Sequence, residues 1–439
     1  MSGSTIKFKV SPGGNLQGQI RVTGDKSISH RSIMLGALAD GVTTVEGFLE
    51  GEDNLATLNA FRALGVEIKG PDNGRVEIQG VGIDGLHASA EDIDLGNSGT
   101  SMRLLTGLFS AQKFDTTLTG DKSLITRPMR RVTDPLTKMG ASFTTSETGT
   151  PPVQIHGQQS LCGIDYDMPV ASAQVKSSLL LAGLYANGQT CVTEPAPTRD
   201  HTERMLKGFG YQVQASGDKI CLLGGGRLTA TNIDVPGDIS SATFFIVGAC
   251  IAKGSQLSIK HVGVNPTRVG VINILRLMGA DISIDNETKV GGEPVADIQI
   301  KYAKLHGIDI PEDQVPLAID EFPAIFIAAA CAEGRTVLTG AKELRVKESD
   351  RIQAMADGLT VLGIDAEATE DGIIIQGGQL GGGTVNSYGD HRIAMSFAMA
   401  GLCANSNIEI LDCENVNTSF PGFAALANQT GLELNVKDI

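Results

Sequence analysis

The sequence has few of the residues on which several classes of protein depend. It contains no tryptophan, and aromatic residues make up 4% of its 439 residues, which argues against stacking platforms for the bases of nucleic acids. Its formal net charge of −15 also excludes the excess of lysine and arginine that favours binding to nucleic acid or to an anionic membrane surface. Any anionic ligand must therefore be bound by a local cluster of basic residues.

Paired cysteines and long hydrophobic runs are missing as well. The seven cysteines are dispersed between Cys162 and Cys413 without a CxxC pair, which favours a reducing compartment and predicts that all seven are small buried apolar residues. No apolar run approaches the roughly 18 residues of a membrane helix, and the N-terminal segment lacks the regions of a signal peptide. The sequence therefore predicts a cytoplasmic protein without a membrane partner.

Motifs for metal and nucleotide binding are also missing. The seven histidines show no HExxH or other metal-ligand spacing, and neither a GxSxG elbow nor a P-loop GK[ST] occurs. The segment GVGIDG at residues 80–85 matches GxGxxG, but no helical pattern follows it. We therefore predict no metal and no cofactor.

Six segments of the chain share one pattern. Each has a β-like run, a turn rich in Gly, Asp, Asn or Ser, and an apolar stretch with almost no charge, which predicts a buried helix. Short β-branched runs between these stretches predict strands. The starts recur about every 70 residues, which indicates six α/β units, and the length favours two domains. The segments are TGDKSISHRSIMLGALADG, LGNSGTSMRLLTGLFS, MPVASAQVKSSLLLAGLYANG, VPGDISSATFFIVGACIAKG, AIDEFPAIFIAAACAEG and SYGDHRIAMSFAMAGL.

The predicted helix starts combine capping residues with cations. Lys26, Arg31, Arg103 and Lys176 lie there, although a cation at a helix N-terminus is normally unfavourable. Because helix N-termini bind anions, the repetition indicates a ligand with more than one negative group. Plain capping remains the alternative for each helix taken alone. The capping residue types are Ser27, Asn97, Ser98, Thr100, Ser172, Asp238, Ser240, Asp320 and Asp390.

Two groups of carboxylates point to acid–base chemistry. Asp320 and Glu321 interrupt an apolar segment, where a carboxylate near cations suits a general base, although a helix cap with a salt bridge explains them equally well. In the segment RVKESDRI, Glu348 lies between Lys347 and Arg351 and suits either an acid–base role or a solvated ion pair.

Nine motifs occur in order along nearly the whole chain. They are GDKSISHRSIML, LGNSGTSMRLL, RPMRRV, ASAQVKS, VPGDISSATFF, IDEFPA, RVKESDRI, YGDHRIAM and SFPGF. Together they resemble the motifs of the 5-enolpyruvylshikimate-3-phosphate synthase family. The details ASAQVKS, TRDHTE and TSFPGF are more similar to the class II bacterial form than to the enteric or plant form.

The resemblance implies an α/β fold of two similar domains, each built from three βαβαββ units. This is the enolpyruvyl transferase fold, an inside-out α/β barrel with the active site in the cleft between the domains. The family pattern places the crossings between domains near residues 22–24 and 236–238. One domain is then expected to contain residues 1–22 and 238–439, and the other residues 23–237.

The resemblance also implies a reaction. The enolpyruvyl group of phosphoenolpyruvate is transferred to the 5-hydroxyl of shikimate 3-phosphate, with release of phosphate through a tetrahedral intermediate, in the shikimate pathway to chorismate and the aromatic amino acids. Both substrates are polyanions, in agreement with the cations at the helix starts. The family implies a monomer.

The family pattern assigns residues to each substrate. We expect Asp320 to take the 5-hydroxyl proton, and Glu348, assisted by Lys26, to act at the methylene carbon. The expected ligands of shikimate 3-phosphate are Lys26, Ser27, Arg31, Ser172, Ala173, Gln174, Arg199, Asp320 and Lys347. The expected ligands of phosphoenolpyruvate are Lys26, Gly99, Arg127, Gln174, Arg351, His391 and Arg392.

Three positions depart from other family members or bear on inhibition. Ala173 replaces one of two adjacent serines, so Arg199 or the backbone has to supply that contact, and Thr418 replaces an enteric-type lysine. Gly99 leaves room for the inhibitor glyphosate, so at least partial sensitivity is expected.

Three alternatives remain. An enzyme that transfers enolpyruvate to UDP-N-acetylglucosamine is expected to carry a reactive cysteine in the loop DKSLITRPMRRV, which has none. An RNA 3′-phosphate cyclase should have a basic surface, and a repeat scaffold should expose apolar patches instead of cations at helix starts.

Overall fold

The computed structural model describes residues 6–438, which form two compact units. The first unit contains the chain up to Thr23, Pro236–Thr288 and the chain from Pro294 onward. The second unit contains Gly24–Val235 and the short segment Lys289–Glu293. Each unit has a hydrophobic core of its own.

The helices and strands alternate along most of the chain. Within residues 6–438 the helices are α1 (Lys26–Leu38), α2 (Glu52–Ala63), α3 (Gly99–Phe109), α4 (Arg130–Lys138), α5 (Ala173–Gly183), α6 (His201–Gly208), α7 (Ile239–Ile251), α8 (Gly270–Leu277), α9 (Val315–Ala318), α10 (Phe322–Cys331), α11 (Arg351–Val361), α12 (His391–Ala400) and α13 (Phe423–Thr430). The strands in the same range are β1 (Ile6–Val10), β2 (Gln17–Ile20), β3 (Ala39–Glu46), β4 (Glu67–Asp72), β5 (Arg75–Val81), β6 (Ile93–Asp94), β7 (Thr116–Thr119), β8 (Ser142–Thr144), β9 (Val153–His156), β10 (Asp165–Asp167), β11 (Gln189–Thr193), β12 (Val213–Ser216), β13 (Lys219–Leu223), β14 (Leu228–Thr229), β15 (Asn232–Asp234), β16 (Gln256–Gly263), β17 (Asp281–Val290), β18 (Glu293–Lys301), β19 (Arg335–Leu338), β20 (Asp365–Ala368), β21 (Ile373–Gln376), β22 (Gly383–Asn386), β23 (Ile408–Leu411) and β24 (Leu434–Asp438).

Six sheets in the described range repeat one strand order. The segment β6-α3-β7-α4-β8-β9 forms a sheet of order β6-β7-β9-β8, in which the first two strands are parallel and the others pair antiparallel. The segment from β10 to β13 repeats this order as β10-β11-β13-β12. Each is one βαβαββ unit, and the predicted number of six α/β units is confirmed.

Three sheets take a strand from a distant part of the chain. In the second unit, β14 and β15 pair in parallel with β3. In the first unit, β2 pairs in parallel with β16, and β1 lies between β23 and β24. A fourth sheet, β19-β21-β20, replaces its first strand by two isolated parallel bridges, His306 to Glu333 and Asp309 to Val337. The repeat is therefore permuted along the chain in both units.

The six helices with apolar character on most sides lie in the two cores. They are α1, α3 and α5 in the second unit and α7, α10 and α12 in the first, and every residue of α7 is buried. Gly107 lets α3 approach α5 closely, because a Cβ atom there would lie 2.2 Å from the Ser178 carbonyl oxygen. Burial along their length leaves the helix ends as the places where polar residues can meet a ligand.

The predicted N-caps are correct for four of these helices. Ser98, Ser172, Asp238 and Asp390 cap α3, α5, α7 and α12 with a side-chain oxygen. The first helix is capped by Asp25, which accepts from the Ile28 N–H at 2.9 Å, and not by Ser27. The residue that caps α10 is Glu321, not Asp320, and its side chain makes no capping bond.

The prediction that all seven cysteines are small buried thiols is wrong. Cys191 and Cys221 lie directly opposite each other in β11 and β13, with Cα atoms 4.1 Å apart, and form a disulfide. Cys162 is exposed. The spacing of 30 residues between Cys191 and Cys221 does not predict the disulfide, because the two residues are brought together by the pairing of β11 with β13.

Among the helices in residues 6–438, none has both the length and the hydropathy that crossing a bilayer requires.

Candidate active site

The mouth of α1, in the second unit, presents a lysine and a serine. The Lys26 ammonium lies 2.5 Å from a carboxylate oxygen of Asp53, and the Lys26 carbonyl accepts from the Asn54 side chain at 3.0 Å. Asp53 is buried, whereas the Lys26 side chain keeps 23% of its surface exposed. Lys26 is thus held at a fixed position without being sealed from a ligand. Ser27, beside it, is half-buried.

Arg31 lies one turn deeper and is buried. Its guanidinium donates to Thr202 Oγ1 at 2.7 Å, to Ser177 Oγ at 2.8 Å and to the Ser27 carbonyl oxygen at 3.0 Å. Burial lowers the pKa of Arg31 to about 10, although the charge of Glu203 opposes this shift. A pKa of about 10 still lies well above neutral pH, so Arg31 remains a cation. Because its three hydrogen-bond partners are neutral oxygens, its charge can attract an anion to the mouths of α1, α5 and α6.

A second group of basic residues surrounds the start of α3. Arg127 donates to Asn97 Oδ1 at 2.7 Å, and Arg103 donates to Gln174 Oε1 at 2.7 Å. A Cβ atom on Gly99 would lie 2.8 Å from Arg127 Nη1 and 3.0 Å from Arg103 Nη1. Glycine at residue 99 therefore allows two guanidiniums to close around the N-terminus of α3. Sequence reasoning did not assign Arg103 to a substrate.

The mouth of α5 contains Ser172, Ala173 and Gln174, which are all half-buried. The Gln174 side chain donates to Thr100 Oγ1 at 3.1 Å and so links the starts of α5 and α3. Arg199 is half-buried in the loop before α6. The second unit therefore places these residues on neighbouring helix starts.

Lys176 differs from the other cations at helix starts. Its side chain is 1% exposed, and its Nζ lies 3.0 Å from Glu194 Oε1 and 2.7 Å from Glu203 Oε1. The interpretation of Lys176 as an anion-binding cation of the third helix start is therefore wrong, because two carboxylates already balance its charge. The sequence of an apolar helix does not show whether a lysine side chain in it points towards a ligand or into the protein interior.

In the first unit, Arg351 connects the candidate acid–base residues. Its guanidinium is buried, and Nη1 lies 3.4 Å from Asp320 Oδ1. The guanidinium also donates to Glu348 Oε2 at 2.5 Å and to Asp390 Oδ2 at 2.7 Å. Burial alone would lower the pKa of Arg351, but the charges of Asp390 and Glu348 raise it above its usual range. Arg351 therefore stays charged.

Asp320 is flanked by a second cation. Lys347 Nζ lies 3.5 Å from Asp320 Oδ1 and 2.9 Å from Glu343 Oε1. The Asp320 side chain is 16% exposed and that of Glu348 35%, so both carboxylates are accessible from solvent. The structure thus brings Asp320, Lys347, Glu348 and Arg351 together.

Arg392 joins this group through the start of α12. It donates to the Asp320 carbonyl oxygen at 2.9 Å and lies 3.5 Å from Glu321 Oε1. Glu321 is buried and accepts a hydrogen bond from the Ser240 hydroxyl, which in turn accepts from Arg268 Nη2 at 2.6 Å.

Three further residues complete this part of the site. His391 is buried at the first position of α12. Thr418 is also buried and donates to the Asn415 carbonyl oxygen at 2.7 Å. Sequence reasoning missed Arg268, because a single arginine before an apolar helix carries no pattern.

Residues 6–438 contain no group of three or more His, Cys, Asp and Glu side chains that could hold a metal ion.

A model of the EPSP synthase (3-phosphoshikimate 1-carboxyvinyltransferase) family matches residues 10–426. The chain belongs to the EPSP synthase family. Over 436 residues it is 66% identical to the 3-phosphoshikimate 1-carboxyvinyltransferase of Methylococcus capsulatus, covering 99% of this chain and all of that protein. It is 65% identical to the enzyme of that name from Nitrosococcus oceani, over 99% of this chain and 98% of the relative.

Solved structures of EPSP synthases show the same fold. An EPSP synthase from Acinetobacter baumannii has a TM-score of 0.91 and 61% sequence identity, over 99% of this chain and 100% of that one. A second structure of EPSP synthase from that organism gives a TM-score of 0.90 at 60% identity. The predicted α/β fold class, with the two-domain enolpyruvyl transferase fold, and the predicted family are confirmed.

Proposed function

We propose that this EPSP synthase family member transfers the enolpyruvyl group of phosphoenolpyruvate to the 5-hydroxyl of shikimate 3-phosphate. The observation that carries the proposal is the full-length similarity, at 60% to 66% identity, to relatives named 3-phosphoshikimate 1-carboxyvinyltransferase. The products are 5-enolpyruvylshikimate 3-phosphate and phosphate, and the reaction belongs to the shikimate pathway of aromatic amino-acid biosynthesis.

The helix mouths supply the ligands that two polyanions require. In the second unit we assign shikimate 3-phosphate to Lys26, Ser27, Arg31, Ser172, Ala173, Gln174 and Arg199, and phosphoenolpyruvate to Lys26, Gly99, Arg127 and Gln174. In the first unit we assign Asp320 and Lys347 to shikimate 3-phosphate, and Arg351, His391 and Arg392 to phosphoenolpyruvate. Free backbone N–H groups and fixed cations are the groups that stabilise negative charge as it builds up in a transition state.

Two carboxylates of the first unit divide the proton transfers. Asp320 takes the proton of the 5-hydroxyl, whose oxygen attacks C2 of phosphoenolpyruvate. Glu348, assisted by Lys26, adds a proton to the methylene carbon C3, which gives the tetrahedral intermediate with a methyl group. Loss of a proton from that methyl group, together with departure of phosphate, restores the C2–C3 double bond on the new ether. The accessibility of Asp320 and Glu348 supports these roles.

We further propose a monomer in the cytoplasm with at least partial sensitivity to glyphosate. The support for glyphosate binding is that residue 99 is glycine, because a methyl group there would meet the guanidinium of Arg127, which we assign to phosphoenolpyruvate, at 2.8 Å and that of Arg103 at 3.0 Å.

The experiment that tests the function is a comparison of acceptors. Phosphate release from phosphoenolpyruvate is measured with shikimate 3-phosphate and, separately, with UDP-N-acetylglucosamine. We expect release with the first acceptor and none with the second. Release with UDP-N-acetylglucosamine alone would contradict the proposal and favour the sister activity, although the loop at residues 121–132 contains no cysteine.

A further inference from the structure

A buried cluster of three charges lies beneath the mouth of α5. Lys176 Nζ contacts Glu194 Oε1 at 3.0 Å and Glu203 Oε1 at 2.7 Å, and the three side chains are between 1% and 8% exposed. Glu194 lies directly after β11, and Glu203 lies in the first turn of α6. One lysine thus joins three separate elements of the second unit.

Stability does not explain this cluster. Removing three charged groups from water is costly, and an apolar trio of similar volume is often equally stable or more so. The cluster holds one positive charge against two negative ones, and burial raises the pKa of Glu194. Within residues 6–438, Lys176 Nζ and both Glu203 oxygens are also without a hydrogen bond of good geometry. The arrangement therefore suits a role in positioning better than a role in stability.

Glu194 is connected with Arg199 through the residue that precedes this arginine. A Glu194 carboxylate oxygen accepts a hydrogen bond from the Thr198 hydroxyl, so the loop between β11 and α6 is closed by a contact between its two ends. Arg199 follows Thr198 directly. By holding Glu194, Lys176 fixes the base of the loop that carries Arg199.

Glu203 is connected with Arg31 through the residue that precedes this glutamate. Thr202, its neighbour, accepts from Arg31 Nε at 2.7 Å and donates to Ser177 Oγ at 2.7 Å. Ser177 follows Lys176 on α5, so two consecutive residues of α5 hold two consecutive residues of α6. Lys176 is thus connected with both arginines assigned to shikimate 3-phosphate.

We propose that Lys176 is a positioning residue for shikimate 3-phosphate, acting through Glu194 on Arg199 and through Glu203 on Arg31. The inference rests on the proposed function, because the two arginines matter here as ligands of that substrate. Lys176 itself is sealed from solvent and does not touch substrate. Replacement of Lys176 should therefore weaken the binding of shikimate 3-phosphate and leave the binding of phosphoenolpyruvate unchanged.

Two variants and one control test the role. Lys176→Met keeps the length of the side chain and removes the cation. Glu194→Gln keeps the side-chain size, leaves one carboxylate for Lys176, and neutralises the contact with the loop. Lys219→Met is the control, because Lys219 forms an exposed ion pair with Asp165, at 2.5 Å, in a sheet of the same unit.

The measurements are the Kd of shikimate 3-phosphate by calorimetry, the KM of each substrate, and the urea concentration at the midpoint of unfolding. In Lys176→Met we expect the Kd of shikimate 3-phosphate to rise about tenfold or more, because both arginines lose a residue of the network that positions them. The KM of phosphoenolpyruvate should stay within about twofold, because the contacts of Lys176 lead to Arg31 and Arg199, which are assigned to shikimate 3-phosphate alone, and effects at residues without shared contacts are nearly independent.

Glu194→Gln separates positioning from stability. It removes one of two buried carboxylates that share a single cation, so the unfolding midpoint should not fall while the affinity for shikimate 3-phosphate does. This variant decides the question if Lys176→Met fails to fold. Unchanged affinity in Glu194→Gln, or an equal rise in both KM values in Lys176→Met, would overturn the proposal.

The wild-type protein separates this inference from the proposed function. If it neither binds shikimate 3-phosphate nor releases phosphate, the function itself is wrong. If it binds and turns over while the variants and Lys219→Met behave alike, only the role of Lys176 is wrong.

Discussion

Asp320 lies at the point of the first unit where two cations approach one accessible carboxylate. Lys347 Nζ and Arg351 Nη1 are 3.5 Å and 3.4 Å from its Oδ1. Such a carboxylate can bind a hydroxyl and take its proton, whereas the amide of asparagine can bind but cannot act as a base.

We therefore expect Asp320→Asn to lower kcat by about 10²- to 10⁴-fold, the usual contribution of a general base. The Kd of shikimate 3-phosphate should change far less. Phosphate-release kinetics and calorimetry give the two values. Asp313→Asn, at an exposed position of the same unit, serves as the control. Unchanged turnover in Asp320→Asn would remove this residue from the mechanism.

Gly99 tests the shape of the proposed phosphoenolpyruvate site. In Gly99→Ala the new methyl group would meet the ends of Arg127 and Arg103 at 2.8 Å and 3.0 Å, and these flexible side chains can shift. Glyphosate has a longer chain between its phosphonate and carboxylate than phosphoenolpyruvate has. We expect the inhibition constant of glyphosate to rise more than the KM of phosphoenolpyruvate, measured by competition kinetics. Equal changes would contradict this account, as would wild-type enzyme unaffected by millimolar inhibitor.

His30 couples stability to pH. It is buried, with Nδ1 2.7 Å from Thr57 Oγ1, and burial followed by the charges of Lys26 and Arg31 lowers its pKa well below 6.5. The unfolded chain takes up a proton at His30 below about pH 6.5 and the folded chain does not, so stability is lost as the pH falls, by up to about 1.4 kcal/mol per pH unit.

The variant His30→Asn should show a shallower loss of stability between pH 7.5 and 5 than the wild type, because asparagine does not titrate. Urea unfolding at several pH values measures the slope. His87→Asn is the matched control, since His87 is exposed and its replacement should leave the slope unchanged. Identical slopes in wild type and His30→Asn would show that His30 is protonated in the folded protein as well.

At the scale of elements, the sequence predicts buried helices better than sheets. A helix that is apolar on most sides, such as α7, has to be buried wherever it packs, so local pattern alone is sufficient. The strands β1, β2, β14 and β15 join sheets whose other strands lie far away in the chain. No local pattern contains that information, because the sheet that each of these strands joins depends on contacts between distant parts of the chain.

The same limit applies to helix ends and to charged residues. Two of the six segments that share the pattern end at Gly41 and Gly254, which have φ values of +110° and +87°, but helices α1 and α7 end earlier, at Leu38 and Ile251. In the candidate site, the residue types at the helix starts predicted that cations lie there. They did not predict that Arg351 donates a hydrogen bond to Asp390. Both points depend on how separate elements meet.

Gly107 tests how closely α3 and α5 must approach. Alanine in a helix interior is normally favoured over glycine by about 1 kcal/mol. In Gly107→Ala, however, the new Cβ would lie 2.2 Å from the Ser178 carbonyl oxygen, a backbone atom that cannot turn aside. We expect a lower free energy of unfolding by urea denaturation. Gly208→Ala is the control, because the nearest atom to its Cβ would be 3.4 Å away. Greater stability in Gly107→Ala would contradict close packing of these helices.

At the scale of the whole molecule, the two ends of the described chain meet in one sheet. Strand β1 lies between β23 and β24, with Phe8 opposite Ile410 and Val436. Phe8 is 3% exposed and stacks on Phe423 with ring centroids 6.4 Å apart. Because the core of the second unit includes none of these residues, damage at Phe8 should act on the first unit.

We expect Phe8→Ala to destabilise the first unit by about 3 to 5 kcal/mol, the usual loss for a buried phenylalanine. Hydrogen exchange read by mass spectrometry should show faster exchange in β1, β23 and β24, while α1, α3 and α5 keep their protection. Lys9→Ala, in the same strand but only half-buried, should leave both patterns close to wild type. Faster exchange in α1, α3 and α5 of Phe8→Ala, equal to that in the first unit, would mean that the two cores unfold as one cooperative body.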